Sequence, residues 1–418
     1  MTQLSDDCFA FGATLMPLED ALALIDARVT TVVGAEPVRL RHAAGRILAE
    51  DVVAHHSVPP HDNAAVDGYA VRHADLANDA ETRLRIAGRA AAGHPYAPPV
   101  GADDAVRIFT GAPMPAGADT VLMQEDCRAD GDAVAIPPGI KLGANRRRAG
   151  EDVKAGGTVL TCGQRLRPQD VGLAAAVGRS DLTVYRPLRA AVFSTGDELS
   201  EPGDALPPGG ICDSNRYALM AMLEGLGAIV TDLGILPDRY RDIRDALAMS
   251  AAGHDLVATS GGMSVGEEDH VKAAVQTLGS LHFWQLAIKP GRPIGLGQIS
   301  GVPFVGLPGN PVAMMVTFMR IARPMILGLA GCTDRAPHVY TVSLGEAVKK
   351  KAGRREWMRA RLRTAHDGSL VATRSARQGS GILSSLVQAD GLIELSEDVT
   401  DLPAGAAADF LPFQELLR

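Results

Sequence analysis

Residues 255 to 270 read DLVATSGGMSVGEEDH: an apolar run, a glycine turn, and then Glu267, Glu268 and Asp269. A strand that stops in small residues leaves backbone N–H groups pointing outward, which suits a phosphate. Adjacent carboxylates suit a hard divalent cation. The chemistry suggested is phosphate handling assisted by a metal.

Comparable groups follow the neighbouring apolar runs. Thr195, Gly196, Asp197 and Glu198 come after AAVFS, Pro237 and Asp238 after IVTDLGIL, and Pro308, Gly309 and Asn310 after PFVGL. Between the last two runs, AIKPGRPIG places Lys289 and Arg292 in a turn stiffened by Pro and Gly. In an open parallel sheet ligands collect outside the carboxyl ends of the strands, so these segments share one edge. Taken singly, each group has an ordinary reading. Asp197 suits a helix N-cap or a solvated turn, Lys289 and Arg292 suit a charged surface, and an acid at 267 to 269 suits the first turn of a helix. Their convergence on one edge is what the ordinary readings do not predict.

The elements that would position them alternate along the chain. Strands at 190–194, 229–236, 256–260 and 303–307 are separated by helices near 215–226, 240–251 and 269–278, and a long helix starts at Pro311 behind Asn310. That alternation predicts an α/β domain with an open parallel sheet covered on both faces. Upstream, helical spacing over 17–29, a short helix at 43–49 and a helix at 168–178 flank a stretch, through about residue 140, of short apolar runs broken by Gly and Pro. Downstream, VYTVSL, RARLRT, SLVATR and GLIELS predict a small C-terminal β domain.

Three motif coincidences carry less. GMSVG matches G-x-S-x-G, which would make Ser264 a hydrolase nucleophile, but it lies several residues past its strand and beside carboxylates that oppose an oxyanion. GLGQISG lacks the spacing of a dinucleotide fingerprint, and no Walker motif occurs. In NRRRAGEDV, Arg146, Arg147 and Arg148 suit either a solvated face or a phosphate clamp.

Composition bounds the rest. The chain has 418 residues, 46% of them hydrophobic, with 41 Lys plus Arg against 49 Asp plus Glu and a formal net charge of −8. There is no global electrostatic case for nucleic acid. Five cysteines, Cys8, Cys127, Cys162, Cys212 and Cys332, form no C-x-x-C pair, which fits a reducing compartment. Without an apolar leader or a charge-free spanning segment, the expectation is a cytoplasmic protein with no membrane partner.

With these residues on the page, the chain resembles the molybdopterin molybdenumtransferase (MoeA) family, which includes the C-terminal domain of gephyrin. The resemblance runs from about residue 14 to 415 through PPHDNAAVDGYA, FTGAPMPAGAD, RRRAGEDV, FSTGDEL, DSNRYAL, TSGGMSVGEEDH, AIKPGRPIGLG and GLPGNPVA, with QGSG at 378–381. It implies a discontinuous helical domain (14–53 and 147–187) around an inserted β domain (54–146), an α/β molybdopterin-binding domain (188–332) and a C-terminal β-barrel domain (333–418). It also implies a homodimer whose active site joins the α/β domain of one subunit to the inserted domain of the other. Adenylylated molybdopterin, supplied by an adenylyltransferase, would receive molybdate with release of AMP and the help of Mg2+, and maturation proteins of molybdoenzymes would take the product.

Carried over by motif, Glu198, Asp238 and Asp269 would hold the cation and molybdate, and Lys289 and Arg292 would neutralise the anion. Asp62, Thr110 and Asp152 would act from the partner side. Ser260, Gly261, Gly262 and Ser264 would line the substrate, Pro308 and Pro311 would shape the loop beneath the pterin, and Ser380 would reach it from the last domain. The chain departs from the family pattern at Ala64, Val66, His270, Gln285 and Gly381; Gln285 stands where Lys is common, removing a positive charge. Two alternatives accompany the enzyme reading: a non-catalytic molybdopterin carrier or scaffold, and a hydrolase using Ser264.

Overall fold

The computed structural model describes residues 15–262 and 270–417. The α/β region is built from β1 (Arg189–Thr195), α1 (Asn215–Gly225), β2 (Ile229–Leu236), α2 (Tyr240–Gly253), β3 (Leu256–Ser260), α3 (His270–Leu278), β4 (Gly279–Gln285), β5 (Pro293–Ile299), β6 (Val302–Leu307) and α4 (Pro311–Thr317). The strand order is β2-β1-β3-β6-β5-β4.

Alternate residues of the central strands feed two cores, as a sheet covered on both faces requires. Ala190, Val192, Leu256, Ala258 and Val305 pack with Leu219 and Leu223 of α1. Ala191, Phe193, Val257 and Phe304 pack instead with Ile243 and Leu247 of α2 and Val271 and Val275 of α3. The expected parallel sheet is therefore present over β2, β1, β3 and β6. It is incomplete as an expectation, because β5 and β4 add an antiparallel edge. The cause is local: Ser300 and Gly301 both take positive φ, 51° and 87°, the geometry of a two-residue hairpin turn between β5 and β6.

The chain then continues helically to Leu329. Pro311–Leu329 is long and apolar enough to cross a membrane by composition, yet it is 94% buried within the fold. Its Arg320 stacks 5.5 Å from the Trp357 ring and pairs with Glu394 at 3.1 Å, which marks it as a core helix.

Upstream, Ala35–Arg39 pairs with Asp181–Tyr185 and Val52–Val53 with Thr158–Leu160, so segments far apart in sequence close one unit. The short helix expected at 43–49 does not form. A 3-10 turn at Leu40–His42 leads to Gly45 in left-handed φ, and Ile47 and Leu48 bridge to Arg165 and Val184. Between these pairings lies a six-stranded sheet formed from residues 68 to 136.

Downstream, Tyr340–Leu344, Arg355–Thr364, Leu370–Arg374, Gly391–Leu395 and Ala407–Pro412 form a closed five-stranded barrel. Closure follows because Arg355–Thr364 pairs on both sides, with Leu370–Arg374 and with Gly391–Leu395. Ile288–Lys289 adds to the same strand, joining the barrel to the end of β4.

Candidate functional site

The strand order reverses between β1 and β3: β2 lies to one side of β1, while β3 and β6 lie to the other. Such a switch point opens a crevice at the carboxyl ends of the strands. Here it is a cleft of about 100 Å³ whose lining includes Thr195, Glu198, Asp213, Asn215, Ser260 and Pro311.

At the end of β1, buried Thr195 donates from Oγ1 to Asp238 Oδ1 at 3.3 Å, bringing the acid after β2 to the end of β1. Gly196 has φ of 145°, and a Cβ there would stand 2.6 Å from a carboxylate oxygen of Glu198. Only glycine permits this turn, and the turn places the Glu198 carboxylate over the strand end.

At the end of β3, the Ser260 hydroxyl donates to the Pro308 carbonyl at 3.0 Å and accepts from Asn215 Nδ2 at 2.9 Å. Asn215 Nδ2 also reaches the Gly309 carbonyl at 2.7 Å. The turns after β3 and β6 are thereby tied to the start of α1. Gly261 donates its N–H to the Leu307 carbonyl at 3.1 Å, and both Gly261 and Gly262 take positive φ. The Asn215 Oδ1 atom is buried and accepts no hydrogen bond among the described residues.

Behind this wall, Arg216 and Asp213 are 1% and 2% exposed. The Arg216 guanidinium binds Asp213 at 3.0 Å and also Asp232 and Glu201. Desolvation pulls the Arg216 pKa down, but the Asp232 and Asp213 carboxylates outweigh it and raise the pKa overall. Three carboxylates against one guanidinium also leave this wall locally negative.

The barrel contributes from the other side. The Ser380 carbonyl accepts the Val312 N–H at 3.0 Å, so the QGSG loop meets the first turn of α4 beside Pro311. Buried Arg359 holds that loop: its guanidinium donates to the carbonyls of Arg377 and Gly379 at 3.3 and 3.1 Å and to Ser385 Oγ at 3.1 Å. Gly381 has no atom within 4 Å of where a Cβ would be, so nothing steric requires glycine there.

Of the two expected cations, Lys289 is already engaged, 2.7 Å from Glu356 of the barrel. Arg292 is exposed and forms no ion pair among the described residues. Gln285 is exposed at the end of β4, where its carbonyl accepts the Met16 N–H at 2.8 Å.

The expected upstream residues Asp62, Thr110 and Asp152 do not line this cleft within one chain. Asp62 accepts the Ala149 N–H at 2.8 Å and lies 3.6 Å from Arg146, while the Asp152 side chain is exposed. Thr110 donates its N–H and its hydroxyl to Asp67, each at 2.8 Å. The backbone donor first, and the hydroxyl second, hold the Asp67 carboxyl below its ordinary value.

Ser264, Glu267, Glu268 and Asp269 lie outside the described residues. Among the described residues no group of three or more His, Cys, Asp or Glu side chains is placed to hold a metal ion. Sequence reasoning singles out Asp67 beside Asp62 in the Pro-rich loop but misses Asn215, the Arg216 cluster and Arg359, which sit inside motifs or strands read for other members.

Comparison with known proteins covers almost the whole length. Residues 16–178 match the MoeA N-terminal region (domains I and II), 191–328 a probable molybdopterin-binding domain, and 341–413 the MoeA C-terminal region (domain IV). The chain is 39% identical to a molybdopterin molybdenumtransferase of Haemophilus influenzae over 91% of this chain and 95% of that one. It is 37% identical to molybdopterin molybdenumtransferase 2 of Mycobacterium tuberculosis over 88% and 92% of the two chains. The crystal structure of a molybdopterin biosynthesis MoeA protein from Pyrococcus horikoshii superposes with a TM-score of 0.82 at 29% identity, covering 96% of this chain and all of that one. With three family segments matched in order over most of its length, the chain belongs to the MoeA family.

Proposed function

We propose that this chain is a transferase of molybdenum cofactor biosynthesis that inserts molybdate into adenylylated molybdopterin and releases AMP. One observation carries the reading. Glu198 and the Thr195-bound Asp238 converge on the turn after β1, beside the glycine turn after β3. Carboxylates beside glycine turns at the strand ends suit a phosphoanhydride held with a cation. The names of the relatives support the substrate class.

Glu198 and Asp238 offer oxygen donors only, which fits a hard ion such as Mg2+ better than a thiol- or imidazole-preferring metal. Held by Glu198 and Asp238, such an ion would supply polarisation of the phosphoanhydride toward water. The chain's own part is positioning. Asn215 and Ser260 fix the two turns, Arg292 offers positive charge, and the Ser380 loop of the barrel meets the first turn of α4. The sulfurs of the substrate bind molybdenum, so no side chain need act as a nucleophile. In this reading the chain works as a cytoplasmic homodimer, with Asp62, Thr110 and Asp152 completing each cleft from the partner. It receives substrate from an adenylyltransferase and passes product to maturation proteins.

The Lys289–Glu356 pair favours one second reading, a carrier that binds the pterin nucleotide without turnover, because it commits one of the two expected anion-neutralising charges. Reconstitution separates the two. Purified chain with adenylylated molybdopterin, Mg2+ and molybdate should release AMP, and Glu198→Gln should slow release by about a hundredfold or more. Tight binding of the nucleotide with no AMP release would instead establish the carrier.

A further inference from the structure

The barrel carries a second cleft, of about 390 Å³, and its chemistry is basic. Arg361, Arg374 and Arg377 line it with Thr373, Ser375 and Ser384, and no carboxylate is among its lining residues. None of its lining residues lines the cleft at the sheet edge. Arg361 and Thr373 are partners across adjacent strands, with Arg374 the next residue along.

Arg374 is balanced by Glu346 at 3.0 Å. Among the described residues Arg361 donates only its Nε, to the Gln388 carbonyl at 2.6 Å. Neither Arg361 nor Arg377 forms an ion pair among the described residues. In a chain of formal net charge −8, two uncompensated guanidinium groups share one hollow with hydroxyls. That arrangement matches a dianion with several acceptor oxygens.

We propose that this cleft binds a phosphate-type oxyanion, gripped by the Nη groups of Arg361 and by Arg377, with Thr373 and Ser384 completing the shell. The site stands independently of the reaction assigned above. It nevertheless touches the same loop, because Arg377 lies three residues before Ser380, whose carbonyl meets α4.

Titration calorimetry of the full chain with sodium phosphate, at constant ionic strength with chloride as control, tests it. Saturable phosphate binding should weaken about tenfold or more in R361Q/R377Q, with unfolding temperature unchanged and partial recovery in R361K/R377K. Lys289→Ala with Arg292→Ala should leave that binding component within about twofold. A phosphoserine peptide that binds tighter than free phosphate assigns the site to phosphorylated ligands, and the reverse order assigns it to the free ion. Phosphate binding unchanged in R361Q/R377Q, or no saturable binding beyond chloride, overturns the proposal.

Discussion

Asn215 is the side chain on which the two glycine turns meet, since one Nδ2 serves both Ser260 and Gly309. Asn215→Ala would leave the Ser260 hydroxyl with one partner fewer and the Gly309 carbonyl without this donor. The expected cost is about 1–3 kcal/mol in unfolding free energy, and the loss of AMP release should exceed what that destabilisation explains. Thermal unfolding and single-turnover kinetics on the same preparation check both. The cysteines give a second residue-level prediction. Burial first, and the Asp126 carboxylate next, push the Cys127 thiol up to about 11, whereas Cys212 is exposed on the lining of the cleft. Iodoacetamide at pH 8 should label Cys212 well before Cys127, as read by peptide mass spectrometry. Glu198, Asp238, Ser260 and Pro308 are legible in sequence because each lies at the end of an apolar run or within four residues of it. Asn215 and the Glu356 partner of Lys289 are not, since the first reads as part of a helix start and the second lies 67 residues away on the barrel.

Among elements, the helix Pro168–Ala176 is set by its first turn. Asp170 accepts the Arg167 N–H at 2.8 Å and its guanidinium at 2.9 Å. The Arg167 side chain is the main reason the Asp170 carboxyl lies below its ordinary 3.8. A depressed carboxyl stabilises fully above its unfolded value and loses that contribution as pH falls through the folded one. Asp170→Asn should therefore cost about 1 kcal/mol at pH 7. The deficit should shrink as pH falls below 3.8, as followed by thermal unfolding across pH. The barrel strand Arg355–Thr364 supplies a parallel case. Arg359 is 1% exposed and clasps the 377–379 carbonyls, so Arg359→Met should speed amide exchange at 378–381 while the α/β core stays protected. Strand and helix positions from 189 to 329 were largely readable from alternation. The antiparallel edge was not, because PIGLGQI and VPFVGL carry no period that distinguishes a hairpin from two parallel strands. The Ser300–Gly301 turn was the only local signal.

At the scale of the whole molecule, the expected site is divided. Asp62 and Thr110 belong to the inserted unit and Asp152 to the segment just after it, while Glu198, Asp238 and Ser260 belong to the sheet edge, and each set has its own partners. Periodicity could not reveal how the surrounding unit closes, since Ala35–Arg39 and Asp181–Tyr185 pair across some 140 residues of intervening chain. The family resemblance implies both a discontinuous unit and a shared dimeric site, and the second expectation has a quantitative consequence. A symmetric dimer carries two equivalent clefts, each drawing one set from each subunit. Co-expressing an inactive Glu198→Gln chain with an inactive Asp62→Asn chain under different tags would give random dimers, about half of them mixed. Each mixed dimer holds one cleft with both substitutions and one with neither. AMP release should then recover to about a quarter of the wild-type rate in the unfractionated mixture, and to about half in doubly purified mixed dimers. If every cleft were built within one chain, mixing two dead chains would restore nothing. If Asp62→Asn alone were fully active, the inserted unit would have no part in the chemistry.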